Sequence, residues 1–281
     1  LQTEPPFLYG ALAIYGIIGG LGAGWITESE DSYLDPIMRV RRDSDNAEKS
    51  FVNFDIVTGA LETWVTETDV NGNGYVTKLY DQSGNGNHAL QTDNAKQPKI
   101  VHDGSLVVFD GGTSNQYAIW NYSSDSEIGL IPPINLSDGQ EYESYSVLQS
   151  SDTDGVLISD GFGSEYVGLI QDNSTDSTRS LFIYDDIIYI NKKDYTGLDR
   201  DSLHYNTFYN KPILANCIFK ANGETWNQAP FRFLSLGNGS SYSADVKYNA
   251  LVLFPGRQDA DRTTISNEFI NNFNVVIDRP A

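Results

Sequence analysis

Apolar positions in this chain fall into many short runs separated by clusters of Gly, Asn, Asp and Ser, the pattern of short strands joined by tight turns. Residues 36–42 set Ile37, Met38 and Val40 against Arg39 and Arg41, which predicts a strand with an apolar and a basic side. The strand runs into a turn at residues 43–46. Residues 74–80 read as a strand entering the loop 81–88, where Gly84 and Gly86 permit positive φ and Asn or Asp side chains can bond nearby backbone. Further strands are predicted at 106–109, 145–148, 156–158, 166–170, 181–184, 187–190, 213–219, 231–236 and 248–254, with a tight hairpin at Asp185 and Asp186.

Two segments show helical spacing. Residues 7–18 carry Leu8, Leu12, Tyr15 and Ile18 about one turn apart, followed by a glycine-rich stretch. Near Asp259 or Asp261 a second helix opens, with Ile265, Phe269 and Phe273 four residues apart to lay one stripe on the sheet. The expectation is an all-β antiparallel sandwich with a short N-terminal helix and a C-terminal helix. It forms one domain over 1–281, with 1–35 as a helix-and-loop embellishment. Sandwiches reach 281 residues without splitting, and no repeat period or low-complexity tract is present.

Residues 5–27 are uncharged and long enough on paper to cross a bilayer. Their glycines and the lack of a basic flank favour a packed helix and loop, so a membrane is not the expected partner.

The formal charge of −20 would repel a phosphate backbone, so nucleic acid is not expected as a partner. Such a charge keeps an extracellular or particle-displayed protein soluble. Cys217 is the only cysteine, which forbids an intrachain disulfide, and its apolar neighbours predict a buried thiol. The histidines, His88, His102 and His204, are scattered, and no zinc-protease, serine-hydrolase or phosphate-loop motif occurs.

Several words carry more information. Arg39–Asn46 contains Arg41, Arg42, Asp45 and Asn46; residues 76–89 contain Tyr80, Asp81, Gln82, Ser83, Gly84 and Asn87; residues 97–101 and 108–111 follow at matching spacing. In order and spacing these resemble a module of phage and other viral particle proteins. They also resemble the N-terminal part of the catalytic domain of fungal arabinofuranosidase B type α-L-arabinofuranosidases. The closing strand and helix resemble the end of laminin-G-like domains. The resemblance implies a concanavalin A-like, laminin-G-like jelly roll. It covers a little over a third of the chain, and the adjacent cysteine pair of the arabinofuranosidases has no counterpart here.

Function has to come from a site. A glycosidase needs two carboxylates about the scissile bond, about 5 Å apart for a retaining mechanism. Asp81 and Asp110 are the carboxylates to test, each beside glycines; turn capping or an ion pair with Arg41 or Arg42 is their other reading. Asp69, Asn71 and Asn73 resemble the first half of an EF-hand loop and make calcium a candidate, but Tyr80 stands where a bidentate Glu is needed, so an Asn-Gly hairpin turn is the default. No other cofactor is implied. Trp120, Tyr122 and Trp226 stand among polar residues as sugar-binding aromatics do.

Together these readings lead to a non-enzymatic structural or adhesive protein of a virus particle, such as a fibre, spike or decoration subunit, at the virion surface or extracellular. Its expected partners are other virion proteins, copies of itself in a homo-oligomer, or a cell-surface glycan. The alternatives are an arabinofuranosidase-like glycoside hydrolase and a free carbohydrate-binding module.

Overall fold

The computed structural model describes residues 10–16, 35–110, 116–122, 128–137, 139–150, 155–156, 158–159, 170–171, 187–194, 211–220, 232–233 and 246–273. Strands β1 (Ala13–Gly16), β2 (Met38–Arg42) and β3 (Glu48–Phe51) precede helices α1 (Asn53–Val57) and α2 (Ala60–Thr66). Next come β4 (Gly74–Leu79), β5 (Ala89–Leu90), β6 (Lys99–His102), β7 (Ser105–Leu106), β8 (Ile119–Asn121) and the long β9 (Glu141–Ser150). Then follow β10 (Gly155–Val156), β11 (Ile158–Ser159), β12 (Ile170–Gln171), β13 (Ile187–Ile190), β14 (Lys193–Asp194), β15 (Ile213–Lys220), β16 (Arg232–Phe233), β17 (Val246–Pro255) and helix α3 (Arg262–Phe273).

Among the described residues thirteen strands join one sheet in the order β14-β13-β15-β9-β17-β8-β6-β4-β2-β3, with β1, β5 and β7 added to β17, β4 and β6. Its pairings are antiparallel. The all-β fold with a C-terminal helix is therefore the observed one. One face of the sheet buries Met38, Val40, Val76, Leu148, Cys217, Leu251 and Leu253 in the main core. On the opposite face Tyr145, Val147, Val252 and Phe254 receive Ile265 and Phe269 of α3. Each large side chain so buried contributes roughly 1.5–3 kcal/mol.

The N-terminal segment departs from expectation. Within 7–18 the described residues form a strand, not a helix: Ala13, Ile14, Tyr15 and Gly16 pair with Leu253, Val252, Leu251 and Ala250. All four residues of β1 are buried, Ala13 and Tyr15 in the main core and Ile14 beneath α3. A strand covered on both faces is a continuous apolar run and shows no period of two, so spacing alone misleads there. Helices α1 and α2, absent from the sequence reading, are short. They turn at Gly59 (φ 76°) and bury Ile56, Leu61 and Val65.

The β17 strand changes partner along one edge. Residues 246–248 pair with β8 and residues 250–253 with β1, while β9 runs along the other edge. The register with β9 shifts between Tyr248 and Ala250. Asn249 is the extra residue of this bulge, and its amide donates to the Tyr117 carbonyl at 2.6 Å. A bulge sharpens local twist, and here it coincides with the junction of β8 and β1. The predicted strand 181–184 and the hairpin at Asp185 and Asp186 lie outside the described residues.

Candidate functional site

The loop after β4 is organised by Asp81, which is 7 % exposed. Its Oδ1 accepts the N–H of Ile14 at 3.0 Å and of Ser83 at 2.9 Å. Its Oδ2 accepts the Ser83 hydroxyl at 2.8 Å and the Asn87 N–H at 2.9 Å. Gln82 N–H donates to the Ile14 carbonyl, the Asn85 and Asn87 amides donate to the Leu12 carbonyl, and Tyr15 OH donates to the Asn87 carbonyl. Gly84 and Gly86 have φ of 82° and 74°, which a residue with a Cβ adopts only under strain. Tyr80 stands edge-on to His88, whose Nδ1 accepts the Asp81 N–H. This loop closes the free edge of β1.

The turn after β2 is a second latch. Arg42 forks onto Asp45 at 2.8 and 2.7 Å, donates to the Trp64 carbonyl at 3.0 Å and Glu67 at 3.1 Å, and lies over the Trp64 ring. The Arg42 hydrogen bond, with the Ala47 N–H, holds the Asp45 carboxyl below its usual range. Asn46, at φ 60°, accepts from Arg41, whose Nε donates to Gln97. Among the described residues neither arginine pairs with Asp81 or Asp110.

A third carboxylate was invisible in the sequence. Glu143, 0 % exposed in β9, receives Arg262 at 2.8 and 2.9 Å, Tyr145 OH at 2.6 Å, Asn216 at 2.9 Å and the Gln258 N–H at 2.6 Å. Burial pushes its carboxyl up, but those hydrogen bonds outweigh burial and hold it below the glutamate range. Arg262 stands 119 residues away, so no local spacing announces the pair.

A cluster of cations and aromatics, buried to half-buried, lies on the sheet face opposite the main core. Cross-strand partners run Arg41 to Tyr75, Tyr75 to Lys99, Lys99 to Trp120 and Trp120 to Lys247, so one row crosses five neighbouring strands. Cations and aromatics alternate along it. Arg41 lies 4.8 Å from the Tyr75 ring centre, and Lys99 lies 4.5 Å from Tyr122 and 5.7 Å from Tyr75. Tyr75, Tyr122, Trp120 and His102 meet edge to face in sequence at 6.3, 6.1 and 5.0 Å. Burial lowers the Lys99 ammonium and raises both tyrosines.

Asp110 sits at the end of this row. Its backbone is clasped by Gln149 at 2.7 and 2.9 Å, and its half-exposed carboxylate meets Lys247 at 2.6 Å. The structure thus brings Trp120, Tyr122 and Asp110 into one neighbourhood and puts Asp81 elsewhere; Trp226 lies outside the described residues. Asp69 accepts the Asn71 N–H and the Gly72 N–H bonds back to the Asp69 carbonyl, while the Asn73 amide turns to Asp43. Among the described residues no group of three or more His, Cys, Asp or Glu is arranged to hold a metal ion. No described helix is long and apolar enough to cross a membrane.

These features define an antiparallel sandwich whose sequence words are scaffold latches, and comparison with solved structures supplies its relatives. No family model matches the sequence, and no curated protein matches it. The fold is similar to a mutant GH54 α-L-arabinofuranosidase soaked with 4-nitrophenyl α-L-arabinofuranoside, with TM-score 0.58 and 14 % identity over 93 % of this chain and 63 % of that one. It is also similar to an arabinofuranosidase complexed with arabinofuranosyl-α-1,2-xylobiose, with TM-score 0.54 and 14 % identity over 93 % and 62 %. The chain spans under two thirds of each. The arabinofuranosidase resemblance of the motifs therefore holds at the level of fold. The expectation of a non-enzymatic virus-particle protein is corrected, because these structural neighbours are glycoside hydrolases. The shared words misled because Asp81 and Arg42 hold the sandwich together and say nothing of what its surface does.

Proposed function

We propose that this chain is a glycan-acting sandwich of the arabinofuranosidase type, hydrolysing terminal α-L-arabinofuranosyl groups. The observation that supports it most is the likeness of fold over 93 % of the chain to two arabinofuranosidases, one of them complexed with an arabinofuranosyl xylobiose. A half-buried row of aromatic side chains is a second support, since sugar rings stack on such surfaces.

The chemistry requires an acid and a base or nucleophile held apart across the bond. Asp81 and Glu143 are saturated by the hydrogen bonds that hold β1 and α3, which leaves neither free for proton transfer. Asp110, beside Trp120 and half exposed, keeps a carboxylate open to solvent. Arabinose release from an α-L-arabinofuranosyl-decorated xylan tests the reading. Release of free arabinose by the purified chain supports it, and an unaltered polymer after prolonged incubation counts against it.

A further inference from the structure

The row across β2, β4, β6, β8 and β17 has a chemical preference of its own. In a chain of net charge −20, three cations and an imidazole gather on one strip of sheet. Two of the cations are already matched: Lys247 by Asp110, and Arg41 by the amide oxygens of Gln97 and Asn46. Lys99 differs. It is 9 % exposed, and Asp103, 3.5 Å from the His102 ring nitrogen, and Asp43 reach its ammonium only through space, with no ion pair to Lys99 among the described residues.

What Lys99 has instead is the Nδ1 of His102 at 3.2 Å and the rings of Tyr122 and Tyr75. That nitrogen is contested, because Asn73 Oδ1 lies 3.1 Å from it and takes a hydrogen bond only when Nδ1 carries the proton. Asn73 is itself fixed by Asp43. Burial disfavours this ammonium, Asp103 and Asp43 support it only through space, and a shared neutral acceptor with two ring faces offsets part of the remaining cost.

We infer that this row is a binding site for a carboxylate-bearing sugar, a uronic acid unit of a glycan, with Lys99 taking the carboxylate and Tyr75 and Tyr122 flanking the ring. The tyrosines argue for a sugar and against a bare inorganic anion, since they offer apolar faces and hydroxyl donors together. The acidic remainder of the chain repels polyanions in general, so binding there requires a site that fits. The site deepens the reading of a glycan-acting domain, but it is detected by binding alone, so failure of hydrolysis leaves it standing.

The test is a calorimetric titration of the whole chain with trigalacturonate, with a neutral galactose trisaccharide and with sodium sulfate, repeated on Lys99→Gln. Trigalacturonate is expected to bind about tenfold or more tightly than the neutral trisaccharide, and Lys99→Gln to abolish the difference. Equal binding of the two sugars, sulfate binding as tightly as trigalacturonate, or an unchanged preference in Lys99→Gln overturns the inference. If Lys99→Gln does not fold, the His102 ring resonances of the unaltered chain decide. They are expected to shift with trigalacturonate and not with the neutral sugar, and their indifference to trigalacturonate overturns the inference equally.

Discussion

The carboxylate of Asp81 accepts the backbone N–H of Ile14 at 3.0 Å across 67 residues of sequence. Ile14 sits in a four-residue strand whose other neighbour is β17, so its N–H and carbonyl face the side where a further strand would lie. Asp81 and Gln82 satisfy both. Replacing Asp81 by Ala leaves the buried Ile14 N–H and the part-buried Ser83 and Asn87 donors without their acceptor, and a buried donor so stranded costs about 1–3 kcal/mol. Asp81→Ala is expected to lower unfolding free energy by about 3 kcal/mol or more in a urea titration.

Arg262 and Glu143 pin α3 to β9. Removing one partner of a buried pair strands the other charge at a cost of about 3–5 kcal/mol, so Arg262→Met is expected to destabilise by that order in a denaturant melt. The double variant with Glu143→Gln should recover part of the loss.

Glu143 also predicts an acid limit. Its folded carboxyl is held below the usual glutamate value, so its contribution is fully present above about pH 4.3 and is lost as pH falls through the lowered folded value. Thermal melts from pH 6 down to pH 2 should show this loss, and Glu143→Gln should flatten it.

Gly104 ends the tight turn between β6 and β7 at φ 79°, and a Cβ there would collide with the Val70 carbonyl. Backbone strain and steric displacement add, so Gly104→Ala is expected to destabilise by about 2–4 kcal/mol, whereas Gly139→Ala, at φ 70° with open space around it, should cost less.

The strands were legible where one face is wet. Residues 36–42 and 74–80 alternate, and β2 and β4 appear within two residues of the expected bounds. Ile265 and Phe269 disclosed α3, and the apolar neighbours of Cys217 disclosed its buried thiol. The β1 strand was misread because both its faces are covered. The row from Arg41 to Lys247 was missed as a unit because its members come from five strands, and only the sheet order brings them together. Trp120 and Tyr122 were visible as aromatics in polar company, but nothing in the sequence tied them to Lys99, and nothing tied Glu143 to Arg262.

Hydrolysis at an arabinofuranosyl linkage is read as release of 4-nitrophenol from 4-nitrophenyl α-L-arabinofuranoside by the purified chain, followed in parallel with Asp110→Asn and Asp81→Asn. Turnover by the unaltered chain above the spontaneous rate is expected, retained in Asp81→Asn whenever that variant is folded. No release beyond the spontaneous rate from folded protein, with aryl arabinofuranoside in excess, would rule out arabinofuranoside hydrolysis by this chain.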